Sequence, residues 1–478
     1  MNATSVAGTP ILDYAGIDMQ ISRNLLLKST IWTAGVFGVG QFLRLATNII
    51  LARLLAPELF GIMQIVYSFR NGLELISDVG IGQNIIHNKN ANDPDFYNTA
   101  WSLQLIRSIV LWIVFCIISV PVARFYDSPM LAVIMPITAF SIVLSGFSSA
   151  SHSLARKRMR YRRLAVFETI GALIFSAAQI IIAYLSPTVW ALVFGSLFGT
   201  MIFVIGSHFL LPDVRHKFFI SKHYTAQILS FGKWIFASSI VYFLSTNFDR
   251  LYLAKTIPLE LLGVYGIART LSELLSAAVL QLGSSVIFPF VSSHSHMPRI
   301  ELHEQLAPIR MKFLLIAGVG FSIFAATADL LIGILYDQRY QAASWMLPVL
   351  VMGAWFAIMS NLNESTLMGL GRPNYNAFAS SAKFGFLLVG LPLSVTQLGV
   401  LGGVLVVAAS DLGRYIPILI GQIRERFSFG RQDFLATLTV FSLIAFWEWL
   451  RWLSGFGTSF DSFPMHIPSI FGLVRQSW

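Results

Sequence analysis

Long apolar runs, each closed by charge, proline or glycine, dominate the chain. A first set of six lies near residues 29–53, 60–86, 99–122, 130–150, 165–185 and 188–211. A second set lies near 233–254, 259–290, 311–335, 344–369, 374–396 and 398–422. Each is about as long as the ~20 residues a helix needs to cross a hydrocarbon core. Trp101, Trp190, Trp234 and Trp345 fall near the proposed ends, where an amphipathic ring prefers the interface. The pattern predicts an all-α polytopic membrane protein with about 12 core transmembrane helices. A further apolar stretch, 435–453, is long enough to be a thirteenth span, but Trp447, Glu448, Trp449, Arg451 and Trp452 crowd its second half in the manner of an interfacial helix.

Composition agrees. Hydrophobic residues make up 55% of the 478 and charged ones 12%, against roughly 25% charged in soluble domains, and the mean hydropathy is +0.69. The net charge of +10 first suggests nucleic acid, but the basic residues fall on alternate loops. One set of loops holds "ARKRMRYRR" (155–163) and most other Lys and Arg, whereas the opposite set holds only Arg53, Arg124, Lys255 and Arg339. This asymmetry predicts that the basic loops and the N-terminus are cytoplasmic, with no nucleic-acid role. Residues 1–22, with Asp13 and Asp18, lack the basic start and apolar core of a signal peptide. Cys116 is the single cysteine, so no intramolecular disulfide can form.

Outside loops such as "SP" (186–187) and "TQLG" (396–399) leave no room for an extracytoplasmic catalytic domain. No nucleotide-binding glycine loop, HExxH or nucleophile elbow occurs, and "HSH" (294–296) with His303 lacks metal-ligand spacing. The expectation is a transporter, not an enzyme, with neither cofactor nor metal.

"LARLLAPELFG" (51–61) returns as "LAKTIPLELLG" (253–263). Ungapped, Leu51, Ala52, Glu58, Leu59 and Gly61 meet Leu253, Ala254, Glu260, Leu261 and Gly263, while Arg53 meets Lys255. Both copies lie at the turn between the first two spans of a set. An even number of spans separates them, so they share an orientation, as in parallel repeats that enclose a site between two lobes. The predicted organisation is a cytoplasmic segment 1–28, a first six-helix lobe 29–211, a linker 212–232, a second lobe 233–423, and a C-terminal segment 424–478.

The first repeat copy with the span after it, "NFDRLYLAKTIPLELLGVYGIA" (247–268) and "LMGLGRPNYN" (367–376) together resemble the polysaccharide-exporting branch of the multidrug/oligosaccharidyl-lipid/polysaccharide flippase superfamily. The likeness runs over roughly 29–423. It implies two six-helix bundles in a V around a central cavity, alternating access, and movement of an undecaprenyl-diphosphate-linked oligosaccharide across the bacterial inner membrane. Polysaccharide polymerase and export machinery are the partners it suggests. The rivals are an ion-coupled small-molecule exporter of the same fold, which would want an acidic cavity, and a membrane oligosaccharide polymerase or ligase, which would want a large outside loop.

A diphosphate needs cations at bilayer depth, where an ionised side chain is costly and so marks function. Arg44, Arg70, Arg250, Arg269 and Arg414 are the candidates to line the cavity, arginine being favoured because its planar fork bonds two oxygens at once. Arg44 has the alternative of pairing with a carboxylate such as Glu74. Arg70 and Arg269 each have a glutamate four residues on, Glu74 and Glu273, as structural ion-pair partners. Asp249 beside Arg250 and Asp411 near Arg414 read as charge neutralisers, and Arg107, Arg250, Lys383 and Arg414, nearer their span ends, have the alternative of reaching toward the interface. Glu364, with no cation close in sequence, is the ion-coupling candidate. Asp329 is a further carboxylate at a span edge.

Overall fold

The computed structural model describes residues 35–78 and 80–463. The segment 1–28, the opening of the first predicted span and the tail prolines Pro464 and Pro468 lie outside the described residues.

Among the described residues all regular structure is helical. Gly35–Leu54 forms α1. Pro57–Ile76 forms α2, started by Pro57 at the first helical position, where its missing N–H has no partner to lose, and by Glu58 facing the positive helix end. The predicted span 60–86 does not run through. The Ser77 hydroxyl bonds back to the Leu73 carbonyl at 2.5 Å, Gly80 turns the chain at φ 68°, and the short α3, Ile81–His87, follows. Pro94–Phe125 is α4, capped by Asp93, whose carboxylate accepts the Asp95 N–H at 3.0 Å. Met130–Gly146 (α5) bends by 52° into Ser151–Lys157 (α6). Tyr161–Leu185 and Val189–Leu210 are α7 and α8.

The second half opens with α9, Lys222–Thr256, which turns the later part of the predicted linker into helix. Leu259–Leu282 is α10, and a π turn over Gly283–Ile287 leads to the short α11, Phe288–Ser293. Arg299–Ala326 and Ala328–Leu335 are α12 and α13, broken at Thr327. Ala343–Gly369 is α14, the most deeply packed long helix, with Leu347, Leu350, Trp355 and Leu362 fully buried.

Helix α15 spans Asn374–Arg424, but Gly399 sits inside it at φ 59°, ψ −141°, a region essentially reserved for glycine. The two arms fold back on each other: Gly421 lies against Tyr375, Gly413 against Phe386 and Gly402 against the Ser394 carbonyl. They occupy the stretches predicted as the eleventh and twelfth spans.

Gly430–Leu453 forms α16. The stretch 435–453, open in the sequence between a span and an interfacial helix, belongs to a helix that runs beside α12, in the same direction. Arg310 meets Asp433, Gly318 meets Val440, Ser322 accepts from Trp447 Nε1 at 3.2 Å, and Arg451 pairs with Asp329 at 2.8 Å. From Asp433 to Arg451 is about 27 Å at 1.5 Å per residue, close to the ~30 Å hydrocarbon thickness.

Eight described helices (α1, α4, α7, α8, α12, α14, α15 and α16) are individually long and apolar enough to cross a membrane, and the bent α5–α6 pair adds a ninth candidate. Outside that set stand α2, α9 and α10, which carry Arg70 and Glu74, Asp249 and Arg250, and Arg269 and Glu273.

Candidate functional site: a polar cavity between the two halves of the chain

A cavity of about 830 Å³ lies between α2, α4 and α5 from the first half and α9, α10 and α14 from the second. Helical spacing builds its walls. On α2 the facing residues are Arg70, Asn71 and Glu74, with Asp78 just past its end, on α4 Gln104, Arg107 and Ser108, and on α9 Thr246, Asn247 and Arg250. Glu273 and Ser276 of α10 and Asn361 of α14 complete the polar lining.

All of these sit toward the ends of α2 and α10 away from the repeated segments. At the repeat-bearing end α2 and α10 pack directly on each other, and Ile62, Ile65, Val66, Leu262 and Val264 are buried there. The equivalent glycines make the approach possible: a Cβ on Gly61 would strike the Leu259 carbonyl, and one on Gly263 the Pro57 carbonyl.

The charges pair differently from the sequence reading. Arg70 and Glu74 do form the expected pair, Nε to Oε1 at 3.1 Å. Arg250 takes Glu273 at 2.9 Å rather than its neighbour Asp249. Arg269 also forms its expected pair, 3.0 Å from the same Glu273, and lies 3.7 Å from Asp249, which accepts the Tyr265 hydroxyl at 2.5 Å. Asp411 turns to Lys383 across the α15 hairpin at 2.5 Å, and Arg414 to Glu364 on α14 at 2.5 Å. Lys383 is therefore buried in an ion pair and does not reach the interface, and Glu364 has a cation that only the tertiary fold supplies. Consecutive residues on a helix point about 100° apart, so a sequence neighbour is seldom the partner.

Among the sequence candidates, Arg70 and Arg250 line the cavity; Arg269 and Arg414 stand behind it, Arg414 holding the lining residue Asn361 at 3.0 Å. Arg44 does not line it: its side chain is exposed on α1, and Glu74, its proposed partner, is taken by Arg70.

Arg107, read as an interfacial side chain, is instead a wall of the cavity. Its guanidinium donates to the Ser77 hydroxyl (3.1 Å from Nε, 2.9 Å from Nη2) and to the Glu74 carbonyl (2.7 Å). Among the described residues no carboxylate comes within 4.0 Å of it. Of the three lining arginines it is the one whose charge is held by neutral acceptors. The polar stripe at 70, 71, 74 and 78 was visible as a helical pattern in an apolar span, but nothing in the order of residues sets Arg107 against it.

A polytopic helical bundle with a polar, arginine-bearing cavity between its halves is the architecture of a membrane transporter. Residues 50–345, more than half of the chain, match the family described as "Polysaccharide biosynthesis protein", and the chain belongs to that family. It is 22% identical over 365 residues to the lipopolysaccharide biosynthesis protein WzxC of Escherichia coli K12, covering 74% of this chain and 68% of that one. It is 20% identical over 342 residues to the succinoglycan biosynthesis transport protein ExoT of Rhizobium meliloti, covering 72% and 66%. In fold it is similar to the lipid II flippase MurJ, with a TM-score of 0.68 at 12% identity over 94% of this chain and 96% of that one. An inward-facing multidrug resistance MATE family transporter gives a TM-score of 0.63 at 14% identity, over 84% and 97%. The protein is accordingly a multi-pass helical membrane protein of the polysaccharide biosynthesis family, with the fold that these two solved transporters share.

Proposed function

We propose that the protein moves an undecaprenyl-diphosphate-linked oligosaccharide repeat unit across the bacterial inner membrane, with its N-terminus in the cytoplasm. The moving parts are two six-helix lobes, 29–211 and 233–423, which open the cavity to each side in turn. The single observation that supports this reading most is Arg107. A cavity cation without a carboxylate contact suits a diphosphate; Ser77 and the Glu74 carbonyl hold its Nε and Nη2, so Nη1 is the nitrogen it would offer to a phosphate oxygen. The ion pairs Arg70–Glu74 and Arg250–Glu273 then hold the walls, and the amide and hydroxyl groups of Asn71, Gln104, Thr246, Asn247 and Asn361 offer sugar hydroxyls the partners they would lose on leaving water. An exporter of cationic drugs would want a predominantly acidic cavity, whereas here three arginines, Arg70, Arg107 and Arg250, offset Glu74, Asp78 and Glu273. A polymerase downstream is the expected partner.

Deleting the gene tests this directly. Lipid-linked repeat units are expected to accumulate in the cytoplasmic leaflet, and their absence would sink the proposal. A hydrogen bond to a charged group is worth about 1.5–3 kcal/mol, so Arg107→Gln should cut export roughly tenfold or more. Arg107→Lys, which keeps charge without the fork, should fall between.

A further inference from the structure

We propose that the two copies of the repeated segment form a two-sided latch, which seals the cavity at one end and parts when the cavity opens there. The inference concerns opening, not cargo, and holds for any substrate.

The contacts come in pairs that exchange the two halves. Gly61 faces the Leu259 carbonyl and Gly263 faces the Pro57 carbonyl. In the overlay of the copies Gly61 is equivalent to Gly263, and Pro57 to Leu259. One close approach is therefore repeated by local twofold symmetry, and a seam of this kind is self-complementary. The equivalent basic residues also cross over. Arg53, at the end of α1, donates to the Ile334 carbonyl at 3.1 Å and the Leu335 carbonyl at 3.3 Å, at the end of α13. Lys255, at the end of α9, lies 2.6 Å from Asp127, just past the end of α4. Tyrosines repeat the exchange: Tyr126 donates to the Leu251 carbonyl of α9 at 3.1 Å, and Tyr336 to the Asn48 side chain of α1 at 3.2 Å.

Two features make this a latch and not a permanent weld. Its polar contacts lie at the water-facing end, with the side chains of Lys255 and Asp127 42% and 80% exposed, so water can replace each partner when they part. The last carbonyls of a helix have no partner within it, and those of α1 are met from the other half, Arg339 donating to Ala52 and Arg53 at 3.2 Å. Separation passes these carbonyls to solvent and leaves no polar group stranded in apolar surroundings. The seam beneath is backbone against backbone at Gly61 and Gly263, with the Gln64 side chain lying over Gly266, and no ion pair crosses it among the described residues, so the halves can swing apart at that end.

The test uses the full-length protein with Cys116→Ser and one new cysteine, Asn71→Cys, in the cavity. Labelling by a membrane-impermeant maleimide is followed in right-side-out and inverted vesicles. Adding Lys255→Glu should speed labelling at least fivefold in one vesicle orientation only, and the swap Lys255→Asp with Asp127→Lys should return it to the slow rate. Equal rates with and without Lys255→Glu, or acceleration from both sides, would overturn the latch. In a second arm, Asp127→Cys with Lys255→Cys is bridged by a short, reducible thiol cross-linker. Bridging should stop maleimide entry at a third cysteine, Thr246→Cys, protected during cross-linking, from the repeat-bearing side, with recovery on reduction. Entry unaffected by the bridge counts against the proposal. Neither arm needs a substrate, so a wrong latch and a wrong cargo give separate results.

Discussion

The buried pair Arg310–Asp433 gives a measure of whether α16 belongs to the bundle. Arg310 is fully buried in α12, and its Nη2 donates to Asp433 of α16 and, at 2.8 Å, to Asn363 of α14. The other Asp433 oxygen accepts from Asn363 Nδ2 at 2.7 Å and from the Tyr415 hydroxyl at 2.8 Å, and the guanidinium lies 4.8 Å from the Phe429 ring centre. Four helices thus share one ion pair. Asp433→Asn strands a buried cation, and breaking such a pair from one side costs about 3–5 kcal/mol. Arg310→Met alone strands the carboxylate, at a similar cost. The double variant Arg310→Met with Asp433→Leu removes both charges and should regain most of the loss, since apolar replacement of a buried pair is often neutral or stabilising. Denaturant unfolding of the detergent-solubilised protein, followed by tryptophan fluorescence, reads all three. Single variants that each lose less than about 1 kcal/mol, or a double variant no better than either, would refute the reasoning and leave α16 a loosely attached helix.

Gly399→Ala forces a side chain into a backbone region that costs about 1–3 kcal/mol for other residues; the thermal midpoint should drop, whereas Gly320→Ala, inside α12 with open space around it, should hold or raise it. His216, in the linker between α8 and α9, is stacked on Trp101 at 5.2 Å, and its Nε2 accepts the Ala150 N–H at 3.2 Å. Burial, aided by neighbouring His208, pushes its pKa down to about 4. A depressed pKa means the unfolded chain binds the proton more readily, so this stabilisation is complete above the ordinary value of about 6.5 and drains away as pH falls toward 4. Thermal midpoints measured between pH 7.5 and 5 should therefore decline, and His216→Gln should flatten the decline.

Much of the architecture was legible in the chain. Apolar runs punctuated by charge and glycine set out most of the long helices, and "TQLG" marked the turn where Gly399 folds α15 back. The repeat at 51–61 and 253–263 marked equivalent turns, though not that the two copies touch, because contact between elements far apart in sequence leaves no local pattern. Charge partners were the least legible. Arg70–Glu74 shares one helix face and could be read from spacing, whereas Arg250–Glu273, Lys383–Asp411 and Arg414–Glu364 each join two helix segments. Arg107 shows the same limit: an arginine on an apolar helix reaches for water whether that water is at the interface or in a cavity, and only the packing of α4 against α2 decides which. The tryptophans of α16 divide in a way the sequence did not show: Trp447 hydrogen-bonds to Ser322 of α12, whereas Trp449 and Trp452 are exposed.

The central claim is movement of a lipid-linked oligosaccharide through the cavity. Purified protein, reconstituted into vesicles with a fluorescent undecaprenyl-diphosphate oligosaccharide in both leaflets, can be probed with a glycosidase that reaches only the outer face. Cleavage is expected to proceed past the half that sits outside toward completion with the unaltered protein, and to slow roughly tenfold or more with Arg107→Gln. Cleavage that stops at one half in both, equal to protein-free vesicles, would contradict the account.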